Sequence, residues 1–466
     1  MQTKKVGVIT LALTLVSLGL LLLANNFTGI NLNKAFSILW PSIIIAFGLE
    51  LIITKIVLEK GNKKRLVKID GASLTVLIII VVATSVISTV NVFVSNIDLF
   101  NDFGIGYKYD SRFNKEYTLE VKDKKTLILD TSYGDVEIIR GEKNKANVDV
   151  EILMKHNDEE YASKIADSIV EIDESNQDVI DIKSNLYQYI NNNDIRSITI
   201  NYLIEVPEDF KVEVNDKHGD VTIENIESVK IFNEHGEVIV KNILKDVEIK
   251  NTYDDVSVYD VEGKVRVINK HGEVKIERVN DSLQIENLHG SVKVADIIGD
   301  VYIKNTHNDV NVSNVQGNVE IDSDYSEVIG DNIKGNVDVK TSHEEVELKN
   351  IEGNVIVNNS YDDVKLRSAY KNIDLKTRHG NIYYEAGNII EGKVNIENEY
   401  GDIYIKVLEV QKGRFIVNSK YGDISNDIGL NVKDELNEQS VDEVVESSKS
   451  SFYLKTRNGD ILIENN

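Results

Sequence analysis

Alternating hydrophobic and polar positions dominate residues 211–424 and recur with a fixed period of about 18 residues. Val256 and Val258 of one unit, for example, return as Val310 and Val312 of another. Short runs of β-branched residues between Gly, Asn and Asp predict strands with one buried face. Two or three such strands per unit form one coil of a parallel β-solenoid, in which each coil stacks on the next. The predicted fold class is therefore all-β.

Aromatic residues mark one position in every unit. Seven of the eight histidines occupy it, and tyrosine fills the others. The step between these positions is 18 residues from Tyr253 to His379, with a first step of 17 and two last steps of 21. Coils lie about 4.8 Å apart, so twelve positions predict a rod on the order of 55 Å long. The ladder consists of His218, His235, Tyr253, His271, His289, His307, Tyr325, His343, Tyr361, His379, Tyr400 and Tyr421.

A polar side chain precedes each aromatic position by two residues, and it is most often asparagine, as at Asn233 and Asn251. Stacked asparagines can hydrogen-bond to one another from coil to coil. The residue after the aromatic position is usually Gly, Asn or Asp, which tolerate a left-handed corner. These features predict a corner whose inner side carries an amide ladder.

The first 95 residues differ in their hydrophobic pattern and predict three transmembrane helices, at about 6–24, 35–58 and 72–94. The first and third stretches contain no charged residue, and the second contains only Glu50 and Lys55. Each stretch approaches or exceeds the roughly 20 residues that cross a bilayer. Because basic residues cluster before the first helix and between the second and third, the N-terminus is predicted to be cytoplasmic. Residues after about 95 are then extracytoplasmic, which makes this a multi-pass protein of the cell membrane.

The rod is predicted to have irregular ends. Residues 96–210 form a β-rich N-terminal part and cap with one helix near 157–172, whose first turn is acidic. The regular solenoid occupies 211–424. Residues 425–451 are polar, acidic and serine-rich, and they predict a disordered loop. Residues 452–466 repeat the corner sequence and predict a final capping strand.

Charge and composition narrow the function. The chain of 466 residues has a net charge of −25, of which the first 71 residues contribute +6 and the remainder −31. An acidic rod does not bind nucleic acid phosphates, whereas cations or a cationic ligand are compatible with it. There is no cysteine, which excludes disulfides and thiolate metal sites.

Histidines with a carboxylate two residues on, as in His271 and Glu273, could bind a divalent metal or sense pH. Tyrosine replaces histidine freely in the ladder, and tyrosine is a poor substitute for a histidine ligand. The interpretation we favour is therefore a structural ladder with no metal and no cofactor. Protonation of the adjacent histidines is still expected to weaken the rod below about pH 6.

A row of carboxylates follows the aromatic ladder, and calcium could relieve its repulsion. Screening by interleaved lysines and water is the interpretation we favour. The row consists of Asp220, Glu237, Asp255, Glu273, Asp309, Glu327, Glu345, Asp363, Asp402 and Asp423.

Glu50 is an ionisable residue within a predicted span, and such residues are functional candidates. It could pair with Lys55 or with a partner helix, and reaching toward the cytoplasmic interface is the alternative. Catalysis has no comparable support. The sequence contains no nucleophile elbow, no zinc-protease motif and no phosphate-binding glycine loop, so we expect no enzymatic activity.

Two resemblances follow from these residues. The segments Leu18–Leu23, Leu39–Pro41 and Gly48–Glu50 resemble the membrane region of LiaI/LiaF-like envelope-stress proteins. From about Tyr117 onward, the Gly-Asp/Glu-Val corners resemble the DUF4097 adhesin-like family. Together, these two resemblances imply a role in the response to stress at the cell envelope.

The leading hypothesis is therefore a non-enzymatic, membrane-anchored envelope-stress or signalling component. Its predicted partners are membrane lipid, a membrane sensor kinase or other envelope protein, and a cell-wall polymer or cationic ligand. The alternative is a surface adhesin or structural envelope protein whose spans serve only as an anchor.

Overall fold

The computed structural model describes residues 4–28, 32–60, 67–81, 109–189, 194–446 and 449–465. The chain divides into two compact units, residues 1–108 and 109–466. The first unit contains strand β1 (Lys4–Val6), helix α1 (Val8–Thr28), helix α2 (Leu32–Lys60), strand β2 (Val67–Ile69) and helical residues 71–81 (α3). β1 and β2 pair in parallel.

The helices of the first unit begin close to the predicted positions. The second half of the third predicted span, residues 82–94, lies outside the described residues. In the part of the chain that the structure describes, no helix is both long enough and apolar enough to cross a membrane. Large apolar side chains on α1 and α2 are nevertheless exposed within this unit, among them Leu13, Val16, Ile45 and Ile53.

The second unit is a parallel β-solenoid, as the period predicted. From Lys211 to Val407, eleven coils follow one another, each made of two strands that contribute to two facing sheets. Two strands per coil is the lower of the two predicted numbers. The register is continuous: Val229 pairs with Val247 and Val247 pairs with Val265, an 18-residue step.

The first sheet takes one strand from each coil: Lys211–His218, Ser228–His235, Val247–Tyr253, Val265–His271, Leu283–His289, Val301–His307, Val319–Tyr325, Val337–Lys340, Val355–Asn358, Ile373–Thr377 and Lys393–Asn398. The second sheet takes the other: Val221–Ile226, Val238–Ile243, Val256–Val261, Val274–Val279, Val292–Ile297, Val310–Val315, Val328–Ile333, Val346–Ile351, Val364–Ala369, Ile382–Glu385 and Ile403–Val407. These are strands β10 to β31, with even numbers in the first sheet and odd numbers in the second.

The core is the layer of aliphatic side chains between the two sheets. In the first-sheet strands the buried residues alternate, as the pattern predicts for a strand with one buried face. In the second-sheet strands they are Val256, Val258 and then Val261, a step of three that alternation does not explain. Asp260, which precedes Val261, has a backbone conformation in the left-handed region, with φ of 58°. This extra residue bends the strand and turns Val261 inward.

The N-terminal cap contains strands β3 (Tyr109–Glu120), β4 (Thr126–Asp130), β5 (Val136–Arg140), β6 (Lys145–His156), β7 (Val170–Asp173), β8 (Val179–Ser184) and β9 (Ile195–Val206), with helix α4 (Glu159–Ser168). β4 and β5 form a coil that pairs with β10 and β11 on one side and with β8 and β9 on the other. β6 then runs antiparallel to β9, and β3 antiparallel to β6. The helix is shorter than predicted because strand β7 begins at Val170.

The C-terminal end differs from the prediction in two ways. Residues 425–451, predicted to be disordered, contain β34 (Lys433–Glu435) and β35 (Glu438–Val445), which form an antiparallel hairpin on β32 (Gly413–Ser419). The final segment is also not outermost. β36 (Ser451–Thr456) lies between β30 and β32, and β37 (Ile461–Asn465) lies between β31 and β33 (Ile424–Asn426). The last coil of the sequence is thus the next-to-last coil of the rod.

The antiparallel strands at the ends of the stack have a physical reason. A parallel stack that ended at its last coil would leave open hydrogen-bonding edges on both sheets. Antiparallel strands cover the first sheet at the C-terminal end and both sheets at the N-terminal end. The sequence repeat carries no information on this order, because coils 413–426 and 451–465 fit the same register.

Candidate functional site

The aromatic positions form one continuous stack along the corner between the two sheets. Neighbouring ring centroids from His218 to Tyr400 are 4.3–5.3 Å apart, and the ring planes are within 3–19° of parallel. The backbone sets this spacing, since His271 and His289 are direct partners in adjacent strands. Histidine and tyrosine occupy equivalent places and differ little in ring position.

The structure changes the membership of the ladder at both ends. Tyr133 stacks on His218 with a centroid distance of 4.6 Å and extends the ladder into the cap. The sequence Tyr133-Gly134-Asp135-Val136 repeats the corner motif of the regular coils and indicates this position. Tyr421, the twelfth predicted position, belongs to a coil that the inserted coil separates from Tyr400. In the inserted coil, Asn458 occupies the aromatic position.

The buried polar residues two positions before each aromatic residue form the inner polar ladder, and their hydrogen bonds differ from those predicted. The Nδ2 of Asn233 donates to the carbonyls of Gly219 and Gly236, both at 3.2 Å. Asn251 and Asn287 likewise donate to corner carbonyls of their own coil and of the preceding one. The buried asparagines therefore join coils through the backbone, and not through amide-to-amide contacts. Such contacts do occur at the opposite corner, where Asn336 donates to the Oδ1 of Asn318 at 3.0 Å and Asn354 donates to that of Asn336.

The carboxylate row has a structural task that we did not predict. The Oδ1 of Asp220 accepts the backbone N–H of Glu237 at 2.8 Å, and that of Asp255 accepts the N–H of Glu273 at 2.7 Å. Asp363 does the same for Asn381. Each of these aspartates therefore satisfies a corner donor of the following coil, which explains an acidic residue there without a bound cation.

Lysines on the following coil, two residues after the position equivalent to the carboxylate, neutralise part of the row. Lys293 contacts Glu273 at 2.6 Å and lowers the pKa of that carboxyl. Lys365 contacts Glu345 at 2.7 Å. Glu327 differs from Glu273: partial burial, and then the charges of Asp309 and Glu345, raise its pKa. Within the described residues, no group of three or more His, Asp or Glu side chains is arranged to hold a metal ion.

In the first unit, Glu50 binds the start of helix α1. Its Oε1 accepts the N–H of Gly7 at 3.0 Å, and its Oε2 accepts the N–H and the hydroxyl of Thr10 at 2.9 and 2.5 Å. A carboxylate at this place satisfies N–H groups that the first helical turn leaves free. Lys55, one of the two predicted partners of Glu50, is exposed on the same helix.

A groove of about 420 Å³ lies on the outer face of the second sheet near the C-terminal end. Tyr383 and Tyr404 stack at 4.9 Å on its floor, beside Leu462. The Tyr404 hydroxyl donates to Asp402 at 2.9 Å, and this bond raises the tyrosine pKa to about 12. The sequence does not reveal this groove, because its lining residues come from four coils, one of them the inserted coil.

Comparison with known proteins adds one family match. Residues 281–464 match the family model described as Toastrack DUF4097. This range covers the C-terminal half of the solenoid, including the inserted coil. The match supports the predicted DUF4097 resemblance for this region, whereas the LiaI/LiaF-like resemblance of the first 95 residues stays a prediction. A search of curated proteins finds no match.

Two solved structures are similar over much of the chain. One is described as a "putative cell adhesion protein" from Clostridium sporogenes, with 10% identity over 76% of this chain and 100% of that one, and a TM-score of 0.18. The other is described as a "Putative lipid binding protein" from Parabacteroides distasonis, with 10% identity over 75% of this chain and 96% of that one, and a TM-score of 0.19.

Proposed function

We propose that this chain, whose residues 281–464 match the DUF4097 family, is a non-catalytic envelope protein in which membrane helices carry an extracytoplasmic recognition rod. The helices couple the rod to a membrane partner, such as a sensor kinase. The observation that carries the proposal is the combination, in one chain, of a uniform β-solenoid that has a surface groove of about 420 Å³ and an N-terminal helical unit that exposes large apolar side chains.

The apolar surface of the first unit supports the membrane part. Leu13, Val16 and Ile45 are each at least 60% exposed within the unit, although a water-facing helix rarely exposes so many large aliphatic side chains together. A bilayer would cover them. Glu50 accepts hydrogen bonds from helix α1 inside the unit, and these reduce the cost of placing its carboxylate in a membrane.

The shape of the rod supports recognition over catalysis. Its coils are uniform, and its outer faces carry rows of charged side chains paired between coils, such as Arg278 with Asp260. The aromatic corner adds a stripe of ring edges next to a row of carboxylates. Such a surface suits an extended or cationic envelope ligand.

A surface adhesin is the second candidate, in which the helices only anchor the rod. The uniform rod fits this function equally well. The two functions differ in the first unit: coupling requires a protein partner in the membrane, whereas anchoring requires only lipid.

In-cell photo-crosslinking separates these functions. The photoreactive residue replaces Leu49 or Ile53, which are exposed beside Glu50, and in a separate variant Lys304 on the rod. Ile43, which is 4% exposed, provides a matched position that faces the inside of the unit. Captured proteins are identified by mass spectrometry.

Capture of a sensor kinase or another membrane protein from Leu49 or Ile53, but not from Ile43, supports coupling. If these positions yield only lipid while Lys304 captures wall polymer, the protein is an adhesin and the coupling proposal is wrong. Capture of cytoplasmic proteins from Lys304 would contradict both candidates.

A further inference from the structure

One carboxyl interrupts the inner polar ladder. Asp216 is the strand partner of Asn233, so it occupies the position that asparagine holds in many other coils. It is 4% exposed, against 3% for Asn233 and Asn251. Asp216 lies in the first regular coil, where the rod meets the cap coil of β4 and β5.

The surroundings of Asp216 offer acceptors. The asparagines of the ladder donate Nδ2 to two corner carbonyls, and the equivalent carbonyls for Asp216 are those of Gly134 and Gly219. A methyl group on Gly219 would lie 2.0 Å from the Gly134 oxygen and 3.1 Å from Oδ2 of Asp216, so both oxygens border the same small space. Both carboxyl oxygens are buried. The backbone N–H groups of Lys217 and His218 lie near the carboxyl and favour its charged form, but burial has the larger effect on its pKa.

The polar groups around Asp216 come from the cap, from its own coil and from the next coil. On the cap side, the ladder continues through Thr131 and Ser184, whose hydroxyls are 3.3 Å apart. The titratable and charged groups around this position are Asp130, Tyr133, Asp135 and Tyr202 on the cap coils, Lys217, His218 and Asp220 on its own coil, and Glu234, His235 and Glu237 on the next coil. An ionised carboxylate facing carbonyl oxygens in a buried space is strongly unfavourable.

We propose that Asp216 is a proton-binding site inside the rod. Its carboxyl is neutral in the closed coil and donates to a corner carbonyl, as asparagine does in other coils. Loss of the proton loosens the junction between the N-terminal cap and the regular coils. Burial also raises the pKa of Asp216 to about 7, so this transition falls within the physiological range.

The sign of the effect follows from this shift. In the unfolded chain the carboxyl ionises near its ordinary pKa of 3.8, whereas in the rod it keeps its proton to about pH 7. Its contribution to stability is therefore complete at low pH, is lost as pH rises toward 7 and stays lost above it. The histidine ladder is expected to have the opposite effect, since acid should weaken it. The pH dependence of stability therefore distinguishes the two sites.

The test compares the full-length protein, purified in detergent, with its Asp216→Asn variant. Asparagine fits this position in the neighbouring coils, so the variant should fold. The melting temperature is measured by circular dichroism from about pH 5 to about pH 9. Asp220→Asn, an exposed carboxyl of the same coil, is the control. Infrared difference spectra follow the C=O band of a protonated carboxyl.

We expect the variant to melt higher than the wild type at pH 8 and the gap to close toward pH 5, with no such trend in Asp220→Asn. The protonated-carboxyl band should be present in the wild type at pH 6 and absent in Asp216→Asn. A gap that is independent of pH, or a missing band, overturns the proposal. So does a wild-type melting temperature at pH 8 that rises with added Na⁺, K⁺ or Ca²⁺ only when Asp216 is present, since a cation would then occupy the site.

Discussion

Single residues at the corners decide whether coils can stack. The carbonyl of one corner approaches the Cα of the next so closely that a side chain has no room at several positions. Gly290 is the clearest example, because an added Cβ would lie 1.8 Å from the carbonyl oxygen of Gly272. Its φ of 141° is also in a region that favours glycine. The corner therefore limits both conformation and volume.

Gly290→Ala should destabilise the solenoid by more than about 3 kcal/mol, because the clash is with backbone atoms that cannot move aside. Gly429→Ala provides the matched control, since Gly429 has φ of 78° but no atom within 4 Å of an added Cβ. This control should cost only about 1–2 kcal/mol. Urea unfolding of both variants measures the difference. Equal losses would show that backbone strain alone, and not the close approach of coils, explains the corner glycines.

The aromatic ladder predicts a second effect at the scale of residues. His289 stacks between His271 and His307, at 5.0 and 4.8 Å, so positive charges on these rings in acid would lie next to one another. His289→Tyr inserts the residue found in other coils and removes one of these charges. We expect little change in the melting temperature at pH 7.5 and a smaller loss than in the wild type at pH 5. An identical loss at pH 5 would show that the histidine ladder does not sense pH.

At the scale of elements, the order of the coils is the main property that the sequence does not contain. The period, the buried valines and the aromatic register follow from spacing alone, since each residue contacts its equivalent one coil away. The placement of 451–465 depends on which edge remains open after coil 413–426 has formed, and the two coils have similar sequences. The hairpin at 433–445 was missed for a related reason: its strands are polar and acquire their order by pairing with the β32 edge.

Because the chain has no cysteine, designed pairs can test this order. Glu397 and Asn418 both neighbour Lys455 in the first sheet. The pair Glu397→Cys and Lys455→Cys should form a disulfide readily, because adjacent strands bring the Cα atoms within bonding reach. The pair Glu397→Cys and Asn418→Cys should stay reduced, because two strand spacings, about 9.6 Å, separate them. Mobility shifts on non-reducing gels report both. Crosslinking of the second pair instead of the first would mean that coil 413–426 stacks directly on coil 393–407.

At the scale of the whole molecule, the chain contains an apolar helical unit and an acidic rod whose ends carry antiparallel strands. The candidate site was predictable where it repeats, as in the aromatic and carboxylate rows. It was not predictable where residues from distant segments meet, as Glu50 meets Gly7 or as four coils form the groove around Tyr383 and Tyr404. The position of Asp216, two residues before His218, places it in the inner ladder by spacing alone, whereas its burial is visible only in the structure.

The central claim is that the rod is displayed outside the membrane by helices that span it. Labelling of single-cysteine variants with a membrane-impermeant maleimide tests this directly. Lys304→Cys on the rod should react in intact cells, and Lys63→Cys, between the second and third predicted spans, should react only after the membrane is permeabilised. Protection of Lys304→Cys in intact cells, or reaction of Lys63→Cys without permeabilisation, would contradict the account.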